Sequence, residues 1–169
     1  MADLIRPIVG QIPALRRYAR ALTGDAPRAD DLVQDCLERA WSRAHLFHRD
    51  RDIRVWLFAI LHNQFVSGVR RRSRRPVEVP LKDEGHRLAV PPTQESGPEI
   101  ADLGRALERL PAEQKAAVLL VGLEDMTYRE AADVLGIPEG TLMSRLHRGR
   151  RRLRDLMSGD RPVRLERVK

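Results

Sequence analysis

Ser144, His147, Arg148 and Arg151 recur at a spacing that, at about 100° per residue, places hydroxyl, imidazole and guanidinium groups on one side of a helix. Leu142, Leu146 and Leu153, with Gly149 between them, fall on the other side as one narrow seam facing a core. Arg145, Arg150, Arg152 and Arg154 flank that seam. An exposed ridge of hydrogen-bonding and cationic groups suits a polyanion. The major groove accepts a single α-helix, and the planar donor fork of arginine fits guanine edges and phosphates alike. A solvated basic helix is the plainer reading of the same residues.

What argues against the plainer reading is the element that must position this ridge. Thr127 and Glu130 form a Thr-x-x-Glu capping box, in which each side chain satisfies an orphan backbone N–H at a helix start. A short helix is therefore predicted from Tyr128, with Ala131, Ala132 and Leu135 as a small-residue inner face. Gly136 tolerates the left-handed conformation of a helix end and closes it before Ile137 and Pro138. The ridge-bearing helix follows from about Glu139, which makes the pair a helix-turn-helix. Two further helices precede it, one on Leu103, Ala106, Leu107 and Leu110, and one opened by Pro111 that carries Ala117, Val118, Leu120, Val121 and Leu123. Together these four form a module spanning residues 101–158, followed by a basic tail over 159–169.

Three helical patterns make an earlier module over residues 8–75. Ile12, Leu15, Ala19 and Leu22 mark the first seam, which ends at Thr23 and Gly24. Val33, Cys36, Leu37, Ala40, Trp41 and Ala44 mark the second, with Asp30 and Asp31 near its start, where the helix dipole favours negative charge. The third follows a charged loop, His45 to Asp52, takes Ile53, Trp56, Leu57, Ile60 and Leu61 as its apolar face, and runs through Phe65 and Val69 into the arginines from Arg70 to Arg75. Rings followed by clustered arginines can hold an unpaired strand, since rings stack on bases while guanidinium groups track phosphates. Trp41 and Trp56 fit apolar seams and are expected in the core, whereas Phe47 lies in the loop. His45, His48, Asp50 and Asp52 raise the alternative of a metal-dependent nuclease, but the i, i+3 histidine pair has no third ligand at a defined spacing. No metal, cofactor or catalytic residue is expected, there being no Gly-rich phosphate loop, nucleophile elbow or Cys/His cluster.

Between residues 76 and 100 the helical pattern disappears and Pro76, Pro80, Pro91, Pro92 and Pro98 accumulate, which reads as a flexible tether. Extended at about 3.3 Å per residue it would span on the order of 80 Å, so the two modules need not touch. Glu78, Asp83, Glu84, Glu95 and Glu99 make it acidic. It is either a soluble spacer or a segment that occupies a basic channel of a partner. The whole chain has 169 residues, 42% of them hydrophobic but only 4% aromatic, and a net charge of +7. Such a composition predicts an all-α fold of two small helical domains with a polyanionic partner. A lone cysteine on an apolar helix face predicts a buried thiol in a reducing compartment. No run approaches the roughly 18 apolar residues of a membrane span, and the expectation is a cytoplasmic protein without membrane insertion.

ADDLVQDCLERAW, IRVWLFAILHN, RALERLPAEQKAAVLL and YREAADVLGIPEGTLMSRLHRGRRRLR resemble, in this order, successive motifs of the extracytoplasmic-function group of bacterial sigma-70-type sigma factors. PALRRYARALTGD, ADDLVQD and WLFAILHNQ are further similar to the alphaproteobacterial general-stress subgroup. The resemblance covers about Ile12 to Met157. It implies a sigma-2 bundle of three to four helices and a sigma-4 helix-turn-helix, which dock on the β and β′ subunits of core RNA polymerase and direct it to promoter DNA under the control of an anti-sigma factor. By the same resemblance, Asp31, Gln34 and Asp35 are expected to face the coiled coil of β′. They lie off the seam of Val33, Cys36 and Leu37 and so leave an acidic ridge for a basic partner helix; helix-start capping would account for Asp30 and Asp31 alone. Phe47, Asn63, Arg70 and Arg71 are expected at the melted minus-ten strand, where an amide can pair with the edge of an extruded base, although Asn63 could instead cap a helix end. Thr141, Met143, Ser144, Arg145, His147, Arg148 and Arg151 are expected at the minus-thirty-five duplex. Met143 departs from the family, which commonly has Lys or Arg there, and offers an apolar group to a thymine methyl or an anti-sigma surface. The acidic tether resembles the family segment that runs toward the RNA exit path. A stand-alone helix-turn-helix regulator is the alternative when only the second module is considered.

Overall fold

The computed structural model describes residues 2–48, 50–74 and 98–159. Among these are seven α-helices, one 3₁₀ turn and no strand: α1 (Ala2–Thr23), α2 (Ala26–Ser42), the turn Ala44–Leu46, α3 (Ile53–Arg74), α4 (Pro98–Glu108), α5 (Ala112–Gly122), α6 (Tyr128–Leu135) and α7 (Glu139–Gly159). The all-α expectation holds. Most of the acidic tether, Arg75 and nearly all of the basic tail lie outside the described residues.

Local chemistry sets most helix ends. α1 starts at Ala2, well before the seam that opens at Ile12, and contains Pro7 and Pro13. Both prolines are exposed, so the carbonyls they leave without an N–H partner can be solvated. Gly24 ends α1 at a φ of +67°, the left-handed conformation expected of it. α2 starts earlier than the apolar pattern suggests, at Ala26, because the side chain of Asp25 accepts from the N–H of Arg28 at 2.8 Å and Pro27 occupies the first turn. Asp30 and Asp31 therefore stand inside the helix and are not caps. Asp30 pairs instead with Arg16 at 3.7 Å and Arg20 at 3.8 Å on α1. α3 is opened by Asp52, whose carboxylate accepts from the N–H of Arg54 at 2.7 Å. α4 begins at Pro98 and not after Ile100, with proline at the position where its missing N–H matters least.

Helix α2 buries Ala29, Val33, Cys36 and Ala40, the line it presents to α1 and α3. Trp41, expected in the core, is 50% exposed, because one residue past Ala40 the helix has turned by about 100° away from that line. α3 buries Leu57, Ile60 and Leu61 as expected, but also Phe58, since it is covered on two sides, by α1 and α2 and by α6. Tyr18 of α1, outside the predicted seam, is completely buried, with its ring 5.3 Å from that of Phe58.

The second departure is larger. The tether permits the modules to stay apart, yet α1 packs on α5 and α3 on α6. Leu15, Tyr18, Leu57, Phe58 and Leu61 share one apolar core with Leu120, Met126, Ala131, Val134 and Leu142. Apolar area that neither module covers by itself is removed from water by closure, which explains why they associate.

Within the second module, α5 and α7 approach closely at Gly149. A Cβ at Gly149 would stand 2.8 Å from Cγ2 of Val118 and 3.3 Å from the carbonyl oxygen of Gln114. Gly149→Ala should therefore destabilise the protein, since an overpacking cost of about 1–3 kcal/mol outweighs the roughly 1 kcal/mol that alanine gains over glycine in a helix. Adding Val118→Ala should recover part of the loss; thermal melts of the four proteins showing strictly additive effects would count against this contact.

Candidate nucleic-acid interface

The helix-turn-helix is built as its capping residues require. The hydroxyl of Thr127 accepts from the N–H of Glu130 at 3.2 Å, and the Glu130 carboxylate accepts from the N–H of Thr127 at 2.8 Å. The Thr127 hydroxyl also donates to this carboxylate at 2.8 Å, and that bond, with the one from the Thr127 N–H, holds the Glu130 carboxyl below the usual glutamate range. Gly136 ends α6 at a φ of +64°. Leu142, Leu146 and Leu153 are buried, and the opposite side of α7 carries Thr141, Met143, Ser144, His147, Arg148 and Arg151, all exposed. Ser144 donates its hydroxyl to the Gly140 carbonyl at 3.1 Å. Met143, at 47% exposed, is a prominent apolar group on an otherwise polar ridge. Arg145 is set apart from this group: its side chain turns toward α5, where it pairs with Glu113 at 3.2 Å.

In the first module Asp31, Gln34 and Asp35 are exposed along α2. Gln34 donates to Glu38 at 3.1 Å, and Gln64 of α3 donates to the Asp35 carbonyl at 3.0 Å, tying the two helices together beside this ridge. An open cleft of about 750 Å³ lies between α2 and α3. It brings Asp35, Arg39, Asn63, Gln64, Ser67 and Arg71 to one surface, so the end of the acidic ridge and two of the residues expected at the minus-ten strand share a wall. Asn63 stands exposed in the middle of α3, where there is no helix end for it to cap. Arg70 is exposed in the same helix. Phe47 does not line this cleft; its ring lies 5.0 Å from that of Trp56, half-buried in the loop before α3.

The sequence pattern did not reveal the buried polar groups where the modules meet. Glu124, in the loop between α5 and α6, has a side chain with no exposed surface. It receives Arg17 of α1 in a two-pronged pair, Nε to Oε1 at 2.9 Å and Nη2 to Oε2 at 2.7 Å. Arg54 of α3 donates to the same carboxylate at 3.3 Å and to the Glu124 backbone carbonyl. Hydrogen bonding to Glu124 raises the Arg17 guanidinium above its ordinary value. Lys115 of α5, buried, donates to the Leu22 carbonyl in the last turn of α1 at 3.1 Å. Burial lowers its ammonium from the usual lysine value. The Cys36 thiol, buried as expected, donates to the Leu57 carbonyl at 3.4 Å and is pushed up by burial to about 12, which leaves it inert.

Comparison with known proteins places both modules. The family profile described as the Sigma2 domain of PhyR matches residues 8–62, and that of Sigma-70, region 4 matches residues 100–153. The chain is 39% identical over 161 residues to the ECF RNA polymerase sigma factor EcfG of Rhodopseudomonas palustris, covering 95% of this chain and 88% of that protein. It is 34% identical over 151 residues to the ECF RNA polymerase sigma factor RpoE of Cereibacter sphaeroides, covering 86% and 81%. Among solved structures, the sigma factor RpoE in complex with the anti-sigma factor NepR from Bartonella quintana superposes with a TM-score of 0.80 at 33% identity, over 95% of this chain and all of that one.

His62 of α3 provides a pH test of the closed arrangement. It stands 3.5 Å from the Tyr18 hydroxyl, and burial, helped by the charge of Arg145, lowers it from 6.5 to about 4. Between those values the unfolded chain takes up a proton that the folded chain refuses, so stability should fall as pH drops through this window and be unaffected above it. Allowing for partial exposure, the loss between pH 7 and 5 should be about 1–2 kcal/mol. Denaturant melts of His62→Gln should show a flatter acid-side profile, and a slope equal to wild type would refute the assignment.

Proposed function

The chain belongs to the extracytoplasmic-function family of RNA polymerase sigma factors, transcription initiation factors that are not enzymes, within its EcfG-like group, and we propose how its residues divide promoter-specific initiation. The module over residues 8–75 docks on core polymerase through Asp31, Gln34 and Asp35, the exposed ridge of α2 set against a basic coiled coil of β′. The cleft beside it reads the opened minus-ten strand: Asn63 offers an amide to a base edge, and Arg70 and Arg71 follow the phosphates, while Phe47, outside the cleft in the loop before α3, offers a ring for stacking. The module over residues 101–158 lays α7 in the minus-thirty-five major groove. Thr141, Met143, Ser144, His147, Arg148 and Arg151 form the contacting ridge, while Arg145, braced by Glu113, lies at its margin and reaches a flanking phosphate. Residues 76–100 serve as the acidic tether through the polymerase, and residues 159–169 as a basic tail.

The observation that carries this reading is the outward ridge of α7, exposed over its length and held by a capped turn and a glycine contact that leave it one orientation. Regulation follows from the relative solved with an anti-sigma factor: we assign this chain an anti-sigma partner of its own, for which Met143 offers an apolar contact. The chain acts in the cytoplasm, without catalytic activity, cofactor or metal. Among the described residues no helix is long and apolar enough to cross a membrane.

Run-off transcription with purified core polymerase tests the whole reading: the protein should support initiation at a subset of genomic promoters, and failure at all of them would sink it. Replacing Gln34 and Asp35 together with Ala should weaken core binding at unchanged helical content, and pull-down at wild-type strength would exclude the α2 ridge. Arg148→Ala should cost about 1–3 kcal/mol of discrimination among upstream sequences. An unchanged preference across those sequences would assign Arg148 to the phosphates instead.

A further inference from the structure

The two modules grip each other over the surfaces of α1 and α3, yet the residues assigned to polymerase and to the duplex remain outside that grip. Asp31, Gln34 and Asp35 are exposed on α2, and the α7 ridge is exposed on the far side of the helix-turn-helix. A minus-ten and a minus-thirty-five element are separated by about 25 base-pair steps, roughly 80 Å of duplex at 3.4 Å per step. In the closed molecule α3 and α6 are packed against one another. Such a molecule can present its docking ridge, but it cannot hold both promoter elements.

We infer that the chain is latched shut by its own Arg17–Glu124–Arg54 ion triad, and that it loads in two steps: docking of the closed protein through the α2 ridge, then opening at the latch to reach the upstream element. This rests on the functional reading above, in which the modules contact two separated elements. The chemistry of the latch suits a joint that must part. A buried carboxylate fixes one register, because any closed arrangement that strands it without a cation pays the full desolvation cost. When the modules separate, Glu124 and both guanidinium groups return to water, so the triad selects one closed register and still lets the joint open. Arg17 is already half exposed in the closed state, with 52% of its side chain in solvent, and gives water a route to the pair. Lys115 adds a second polar tie of the same kind, at the Leu22 carbonyl. The likeness to the Bartonella quintana sigma factor extends over both modules.

Single-molecule energy transfer between dyes on Gly10→Cys and Asp133→Cys reads the distance between modules, and Cys36 is too deeply buried to compete for label. Both positions are exposed, one on α1 and the other on α6. The free protein should show one high-transfer population. On core polymerase a high-transfer state should precede a low-transfer one, and a promoter complex should be low throughout. Glu124→Gln should shift the free protein toward low transfer, changing the closed-to-open ratio on the order of tenfold or more, and should shorten the closed stage on polymerase. Arg17→Gln should act in the same direction, more weakly. Low transfer in the free wild type, or populations unchanged in both variants, would overturn the latch. Promoter complexes with the transfer of the free protein would overturn the need to open. Should Glu124→Gln lose helical content by circular dichroism, Arg17→Gln decides the question, its guanidinium being half exposed. If no promoter complex forms with any duplex, the functional reading fails, while the free-protein populations still decide the latch.

Discussion

A carboxylate without exposed surface controls the arrangement of this molecule. Glu124 belongs to the short connection between α5 and α6, and its charge is tolerable there only because α1 and α3 deliver Arg17 and Arg54 to it. That requirement ties together three segments distant in the chain. α1 must run so that Arg17 reaches both oxygens, and α3 so that Arg54 reaches the carboxylate and the backbone carbonyl beside it. Arg54 also lies over the ring of Phe58 at 5.7 Å, which couples the ion triad to the apolar core directly beneath. With these three positions set, α5 falls against the end of α1, where Lys115 can meet a last-turn carbonyl at the negative end of the helix dipole.

The duplex-reading ridge is oriented from within its own module. The orientation of α7 is decided inside its own module, by the Thr127–Glu130 box, the left-handed Gly136 and the close approach of Gly149 to Val118. The ridge therefore keeps its shape whether or not the modules touch. The same separation holds for charge. The chain is basic overall, but α2 carries Asp30, Asp31, Asp35 and Glu38 on its exposed face, whereas α7 carries Arg145, Arg148, Arg150, Arg151, Arg152 and Arg154. A partner that attracts one face repels the other, so docking and duplex contact are assigned to different ends by electrostatics as well as by shape.

How much of this was legible in the residues depended on the range of the interaction. The helix-turn-helix follows from contacts three to four residues apart, and Thr127, Gly136, Leu142, Leu146 and Leu153 stand where their spacing puts them. Asp25 shows the limit of the same rule: the cap lies ahead of the apolar pattern, so Asp30 and Asp31, expected near the helix start, stand a full turn inside it. Trp41 misled because a large ring next to an apolar line was counted as part of it. Glu124, Arg17 and Arg54 left no local trace, since a charged residue between two helices ordinarily reads as a solvated turn. One signal of closure was present. VWLFAIL in α3 is apolar on more than one face, and a helix apolar on several faces must be covered from several sides. The proline-rich tether permits separation without requiring it.

The double coverage of α3 also constrains how the modules can part. α6 is only eight residues long, and Ala131, Ala132 and Val134 are all buried, so it serves both α7 and α3. Because its contacts with α7 are set by the tight turn at Gly136, α6 must leave with the helix-turn-helix rather than stay on α3. Separation then uncovers the Phe58 side of α3 and the matching small-residue face of α6, together with the Tyr18 ring packed against Phe58. Opening exposes that apolar surface, while the ion triad recovers its hydration as the modules part. A larger apolar joint would hold the modules too firmly to be opened by docking, and a wholly polar one would not choose a single register. An apolar joint built around one buried charge satisfies both demands.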